Sequence, residues 1–219
     1  GFGYVATGEG AFAGDLLIAN RGTQIRADWL TNLNGALQLG PSGLPVHAGF
    51  NEVWKTFAPE LRHLLRGRNP TRIHCVGHSL GGALATLNAD LLTAGHVADV
   101  VVYTFGAPRT GDALFANSLT RRLSPQKTHR VSHPADPVPM IPLFPYWHLP
   151  FGHDGMTIAS TSNALISVSA VSAPAGFLVA GQLLEPWGVE RVFAAVAIGM
   201  TTAALGFAAP MANSIDAVS

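Results

Sequence analysis

Two periods of hydrophobic patterning alternate along the chain. Short apolar runs of strand length, Leu16-Leu17-Ile18-Ala19-Asn20, Ile73-His74-Cys75-Val76, Val100-Val101-Val102-Tyr103-Thr104-Phe105 and His129-Arg130-Val131-Ser132, are separated by stretches of helical spacing. The third run is almost unbroken, as in a central strand buried on both faces. Ile25, Trp29, Leu30, Leu33 and Leu37 recur at helical spacing with Gln24, Arg26, Asp28, Asn32 and Asn34 between them, which predicts a short amphipathic helix. Val53, Phe57, Leu61, Leu64 and Leu65 share a face of a second helix over residues 51–65, and residues 83–87 and 113–123 predict two more. Strands alternating with helices imply an α/β fold, a mainly parallel sheet with right-handed crossovers and helices on both of its faces.

The last third of the chain is a different kind of sequence. From Gly155 onward only Glu185, Glu190, Arg191 and Asp216 are charged, and residues 164–184 and 192–214 are two long uncharged stretches. We therefore divide the chain into a core over residues 1–160 and a hydrophobic, helical C-terminal segment over residues 161–219. Residues 192–209 approach the ~20 that span a bilayer. Their wealth of Ala, Gly and Thr equally suits a buried or cleft-covering helical hairpin. Residues 212–219 read as the approach to a further helix.

Composition narrows the partners. The 219 residues carry 13 basic and 13 acidic side chains, without a basic stripe or aromatic-interleaved run, which argues against a nucleic-acid partner. The single Cys75 leaves no internal disulfide framework and sits in an apolar run, as an inert buried thiol does. No histidine pair has the tight spacing of a zinc motif, so no metal is expected.

The chemistry centres on Gly77-His78-Ser79-Leu80-Gly81-Gly82, placed between an apolar strand and an apolar helix. A serine on such a turn, flanked by glycines two positions away on each side, adopts a strained backbone and holds its hydroxyl clear of the sheet. A bulky side chain at Gly77 or Gly81 would collide where strand and helix converge. Thr23 lies in the loop that leaves the first parallel strand, and chemistry in an open α/β sheet gathers at that edge. The helix that follows Thr23 is either ordinary core or a mobile lid over an apolar cleft. Asp136 follows the last strand among stiffening prolines, where a carboxylate can hold an imidazole in the right tautomer, and the order Ser then Asp suits an α/β-hydrolase.

Together these segments resemble the class 3 lipases, the fungal, Rhizomucor-like family of α/β-hydrolases. Arg21-Gly22-Thr23 is similar to the family's oxyanion strand end, residues 24–33 to its lid helix, and Val46-His47-Ala48-Gly49-Phe50 to the H-x-G-F that follows. The elbow matches G-H-S-L-G-G. Phe105-Gly106-Ala107-Pro108-Arg109-Thr110-Gly111-Asp112 resembles F-G-x-P-R-x-G-D, and Asp136-Pro137-Val138-Pro139 resembles D-x-V-P. The likeness covers residues 14–158. It implies Ser79 as nucleophile, Asp136 as orienting acid, an oxyanion hole from Thr23 and the amide of Leu80, and Ile25, Trp29 and Leu33 as lid and substrate contacts. His78 is counted with the substrate contacts, its ring expected to point away from the attack position. It implies no cofactor.

The chain departs from the family in its histidines. The family's catalytic histidine lies well beyond the acid, whereas this sequence has none after His153. Three bases stay open: His153, His148, or a histidine beyond Ser219. His47 reads as structural. The expected activity is hydrolysis of glycerolipid acyl esters by a lipase or carboxylesterase. A phospholipase A1-type effector or toxin and a non-catalytic lipid-binding protein are the alternatives. The expected partner is a lipid or ester substrate, met at a lipid interface or membrane surface, and the expected location is secreted or at a membrane surface rather than cytoplasmic.

Overall fold

The structure, a computed structural model, describes residues 2–22, 35–132, 136–150 and 215–218. A six-stranded sheet is built from β1 (Gly3–Thr7), β2 (Leu16–Asn20), β5 (Arg72–His78), β6 (Asp99–Phe105), β8 (Thr128–Val131) and β10 (Ile215–Val218). Its order is β10-β1-β2-β5-β6-β8. β2, β5, β6 and β8 run parallel, as the alternating pattern predicts. β1 and β10 are antiparallel additions at one edge. A small antiparallel sheet joins β3 (Leu37–Leu39), β4 (Pro45–His47), β7 (Gly111–Asp112) and β9 (Tyr146–Trp147) in the order β3-β4-β7-β9.

Three α-helices are described: α1 (Ala48–Leu65), α2 (Leu80–Ala94) and α3 (Ala113–Leu123). Register explains how they share one core. Val5 lies opposite Ile18, Ile18 opposite Cys75 and Cys75 opposite Val102, so one face of the sheet presents a continuous apolar row. Phe57 and Leu61 of α1, Leu84 and Leu87 of α2, and Phe115 and Leu119 of α3 bury themselves in the same cluster. Removing such side chains from water is worth about 1.5–3 kcal/mol each. α2 is buried almost all round, which requires apolar and small residues on every side. Cys75 is wholly buried, and desolvation pushes its thiol pKa far up, so the inert thiol read from the sequence is what the fold contains.

Local capping fixes where helices begin. His47 precedes α1, and its Nδ1 accepts from the amides of Gly49 at 3.1 Å and Phe50 at 3.4 Å, which places the start of α1 three residues earlier than its apolar stripe suggests. Asp112 caps α3 by accepting from the Phe115 amide at 2.8 Å.

The tail requires a correction. Residues 212–219 were expected to lead into a helix, yet residues 215–218 form β10, pairing antiparallel with β1 from Gly3 opposite Val218 to Ala6 opposite Ile215. The free edge of β1 offers unpaired backbone donors and acceptors, and a β-branched segment that satisfies them overrides a weak local helical preference. The rest of the C-terminal segment, residues 192–209 included, and the proposed lid lie outside the described residues. Among the described residues no helix is long and apolar enough to cross a membrane.

One buried ion pair ties α2 to α3. Asp90 is fully buried; its carboxylate meets Arg122 Nη2 at 2.5 Å and accepts from the Ser42 amide at 2.9 Å, while Arg122 Nη1 donates to the Asp90 carbonyl at 3.2 Å. Arg122→Leu strands a buried carboxylate and is expected to cost about 3–5 kcal/mol, whereas Asp90→Asn combined with Arg122→Leu costs less than that single change. Urea unfolding of the two variants checks the order.

Candidate active site

The ends of β2, β5 and β6 lie side by side, with Asn20 opposite Gly77 and His78 opposite Phe105. The chain turns sharply from β5 into α2 at this edge. Ser79 sits on the turn at φ 56° and ψ −126°, a conformation that costs a non-glycine residue about 1–3 kcal/mol. Two hydrogen bonds hold it: the Ser79 amide donates to the Phe105 carbonyl at 2.9 Å, and the Gly82 amide donates to the Ser79 carbonyl at 2.9 Å. Ser79 remains half-exposed. Leu80 follows as the first residue of α2, where an amide has no preceding helical carbonyl to bond.

Close approach explains the glycines. A Cβ at Gly77 would stand 2.0 Å from the Gly81 carbonyl oxygen, and one at Gly81 would stand 2.3 Å from the Asn20 carbonyl oxygen. A Cβ at Gly82 would meet that of Ala107 at 2.5 Å. Backbone from β2, α2 and the loop after β6 therefore converges around the elbow. Gly22, the residue before Thr23, is near enough that its Cβ would lie 3.5 Å from Ser79 Cβ.

Asp136 comes to the same edge from beyond β8. Its Oδ1 accepts from the Val138 amide at 3.0 Å, and its Oδ2 lies 2.8 Å from where Gly106, at φ +53°, would carry a Cβ. The Nε2 of His78 lies 3.7 Å from that same point, so its ring rests over Gly106 beside the carboxylate. Ser79, Leu80, His78 and Asp136 are thus brought to one end of the sheet. Thr23, Ile25, Trp29, Leu33 and His153 lie outside the described residues.

A buried polar chain fixes the strand end that leads to Thr23. Trp54 Nε1 donates to Asn88 Oδ1 at 2.8 Å, and Asn88 Nδ2 donates to Asn20 Oδ1 at 2.9 Å. All three side chains are buried. Sequence reasoning missed this chain, although an Asn inside the otherwise apolar turns of α2 was a usable signal, since a buried amide demands partners.

His148 is placed differently from a free base. Its Nε2 donates to the Pro139 carbonyl. Its pKa is lowered to about 4, first by burial and then by the Arg130 charge, against the opposing hydrogen bond to Pro139. It is therefore neutral at pH 7. Among the described residues no cluster of three or more His, Cys, Asp or Glu side chains forms a metal site.

The family model described as lipase (class 3) matches residues 17–146, more than half of the 219-residue chain. The chain belongs to the class 3 lipase family. A secreted mono- and diacylglycerol lipase 1 of Fusarium solani is 35% identical over 157 residues, covering 65% of this chain and 46% of that protein. A phospholipase A1-II 2 of Oryza sativa subsp. indica is 33% identical over 184 residues, covering 65% of this chain and 45% of that one. Among solved structures, the triacylglyceride lipase of Rhizomucor miehei has 30% identity and a TM-score of 0.54, covering 62% of this chain and 55% of its own. The α/β-hydrolase fold read from the sequence is that of these class 3 lipases. The chain spans about half the length of the curated relatives it matches.

A lowered histidine pKa has a definite sign. Between pH 6.5 and about 4 the unfolded chain takes up a proton at residue 148 that the folded chain refuses, so the stability held at neutral pH is lost as pH falls through that window. His148→Asn is expected to flatten this part of the stability profile, by no more than about 3 kcal/mol. Chemical denaturation at pH 7, 5.5 and 4 measures it.

Proposed function

We propose that this chain is the core of a serine hydrolase of glycerolipid acyl esters, with Ser79 as nucleophile. The observation that carries the reading is Ser79 itself. Nothing in core packing calls for a serine at φ 56° on a strand-to-helix turn, whereas a nucleophile that must clear the sheet and sit at a helix N-terminus does.

In this mechanism Ser79 Oγ attacks the ester carbonyl carbon as an imidazole takes the hydroxyl proton. The oxyanion accepts from the Leu80 amide and from Thr23, each donor typically worth about 3 kcal/mol. Collapse breaks the carbon–oxygen bond to the glycerol side, and the imidazolium returns its proton to the departing alcohol. Water, deprotonated by the same imidazole, then releases the fatty acid and regenerates Ser79. Asp136 orients and stabilises the imidazolium. The engaged Nε2 and low pKa of His148 weigh against it as the base, and leave His153 or a histidine beyond Ser219.

Mono- and diacylglycerols are the preferred substrate class, supported by the activity in the name of the Fusarium relative, which also favours secretion. Phospholipid acyl esters are the second reading, supported by the rice relative named as a phospholipase A1. Residues 24–33, by their resemblance to the family's lid segment, take the role of a lid, and substrate is met at a lipid surface.

Ser79→Ala is expected to lower turnover of a p-nitrophenyl acyl ester by at least about 10⁴-fold while leaving circular dichroism and thermal unfolding intact. Retained turnover would remove the nucleophile assignment. Assay of diacylglycerol against phosphatidylcholine in mixed micelles separates the two substrate readings.

Labelling with a fluorophosphonate locates the base. If His153 is the base, the 219-residue chain labels at Ser79 and His153→Ala loses that labelling. If the base lies beyond Ser219, labelling is slow in this chain and becomes fast in one extended through the next histidine.

A further inference from the structure

Beyond the elbow, the segment after Asp136 folds back over α3 and the end of β8 and leaves a cavity of about 570 Å³. Its lining holds Arg109, Arg130, His148, Asn117, Phe144 and Trp147, and among the described residues contains no Asp or Glu. Among the described residues neither arginine has a carboxylate partner. Arg109 donates through Nη1 to the Pro142 carbonyl at 3.2 Å, a neutral acceptor that leaves its charge uncompensated. Arg130 Nε is buried without any hydrogen-bond partner. Burial first, and the Arg109 charge second, act against the charged form of Arg130. His148, held neutral and already donating to Pro139, supplies no counter-charge.

Two guanidiniums facing one cavity with no acid between them destabilise each other and leave a buried donor unmet. A bound oxyanion answers both at once, since planar guanidinium forks form charge-assisted bonds to phosphate and carboxylate. The lining also carries apolar side chains. Phe144 is 87% exposed and Trp147 56% exposed, and Leu143 and Met140 of the same segment are exposed as well. Large apolar side chains left in water beside a cavity mark a surface that meets an apolar ligand.

We propose that this cavity binds an anionic single-chain amphiphile, its phosphate or carboxylate held by Arg130 and Arg109 and its alkyl chain lying against Phe144 and Trp147. The volume falls in the range of about 300–1,000 Å³ usual for small-molecule sites. None of the described lining residues is the nucleophile, the orienting acid or an oxyanion donor. The site stands apart from the hydrolase reading, and its occupancy is measured without turnover.

The test is isothermal titration of the full chain carrying Ser79→Ala with dodecyl phosphate, sodium laurate, inorganic phosphate and neutral dodecyl maltoside, each amphiphile below its micelle concentration. One equivalent of dodecyl phosphate or laurate is expected to bind, and inorganic phosphate to bind more weakly. Arg130→Gln should weaken the amphiphile at least tenfold. Trp147→Ala should weaken the amphiphiles and leave inorganic phosphate unchanged. Selectivity for dodecyl phosphate assigns the site to a phosphate-headed amphiphile, and equal binding of laurate assigns it to a free fatty acid. Arg130→Lys and Arg109→Gln, with circular dichroism, guard against a variant that fails to fold. Equal binding of dodecyl maltoside, or indifference to both arginine changes, overturns the proposal. So does binding that appears only in Asp154→Asn, because the occupant is then the chain's own carboxylate beyond Pro150.

Discussion

The structure turns on the near-contact of three backbones at one edge of the sheet. Strand β2 ends at Asn20, whose carbonyl would lie 2.3 Å from a side chain at Gly81; the first turn of α2 presses against Gly77; and Ala107, after β6, presses against Gly82. Such approach is open only to residues without a Cβ. It follows that the positive φ of Ser79 is not a local choice. The turn from β5 to α2 has no room to take a wider path, and the strain at Ser79 is sustained by the burial of α2 against β2, β5 and β6, which is worth many times its cost.

A crowded edge must still be kept in register, and two buried polar groups on α2 do that. Asn88 reaches across to Asn20 at the end of β2 while holding Trp54 of α1, and Asp90 holds Arg122 of α3. Apolar contacts alone tolerate sliding and repacking, whereas a buried amide or carboxylate loses its partner if a helix shifts by an ångström or two. The polar residues of an otherwise apolar helix thus specify where strand and helix ends stand, and the elbow and the Gly22 backbone inherit that position.

Much of this was legible in the sequence because it rests on local patterns. Val100 to Phe105 could scarcely be anything but a buried central strand, and Gly77, Ser79 and Gly81 carry their reason in their spacing. The small sheet was not legible: β7 is only Gly111 and Asp112, β9 only Tyr146 and Trp147, and elements so short exist through partners far away in sequence. β10 escaped for the same reason, since only the open edge of β1 selects an extended form for residues 215–218. The paired charges of Arg109 and Arg130 were equally hidden, because residues 21 positions apart in sequence meet only through the return of β6 and β8 to neighbouring places in the sheet.

The histidines show how geometry sorts residues that sequence leaves equivalent. A general base needs an imidazole nitrogen with its lone pair directed at the nucleophile and a pKa near working pH. His47 spends its Nδ1 on the amides that open α1 and packs its ring against Phe50 and Tyr146. His74 meets Asp15 at 3.0 Å from the middle of β5, several residues before the elbow, and stacks on Tyr103. His148 gives its Nε2 to Pro139 and is too weakly basic to hold a proton at neutral pH. Each is engaged in holding a loop, a strand or a cap in place. In the mechanism proposed above, these three are therefore poor candidates for the base that takes the Ser79 proton.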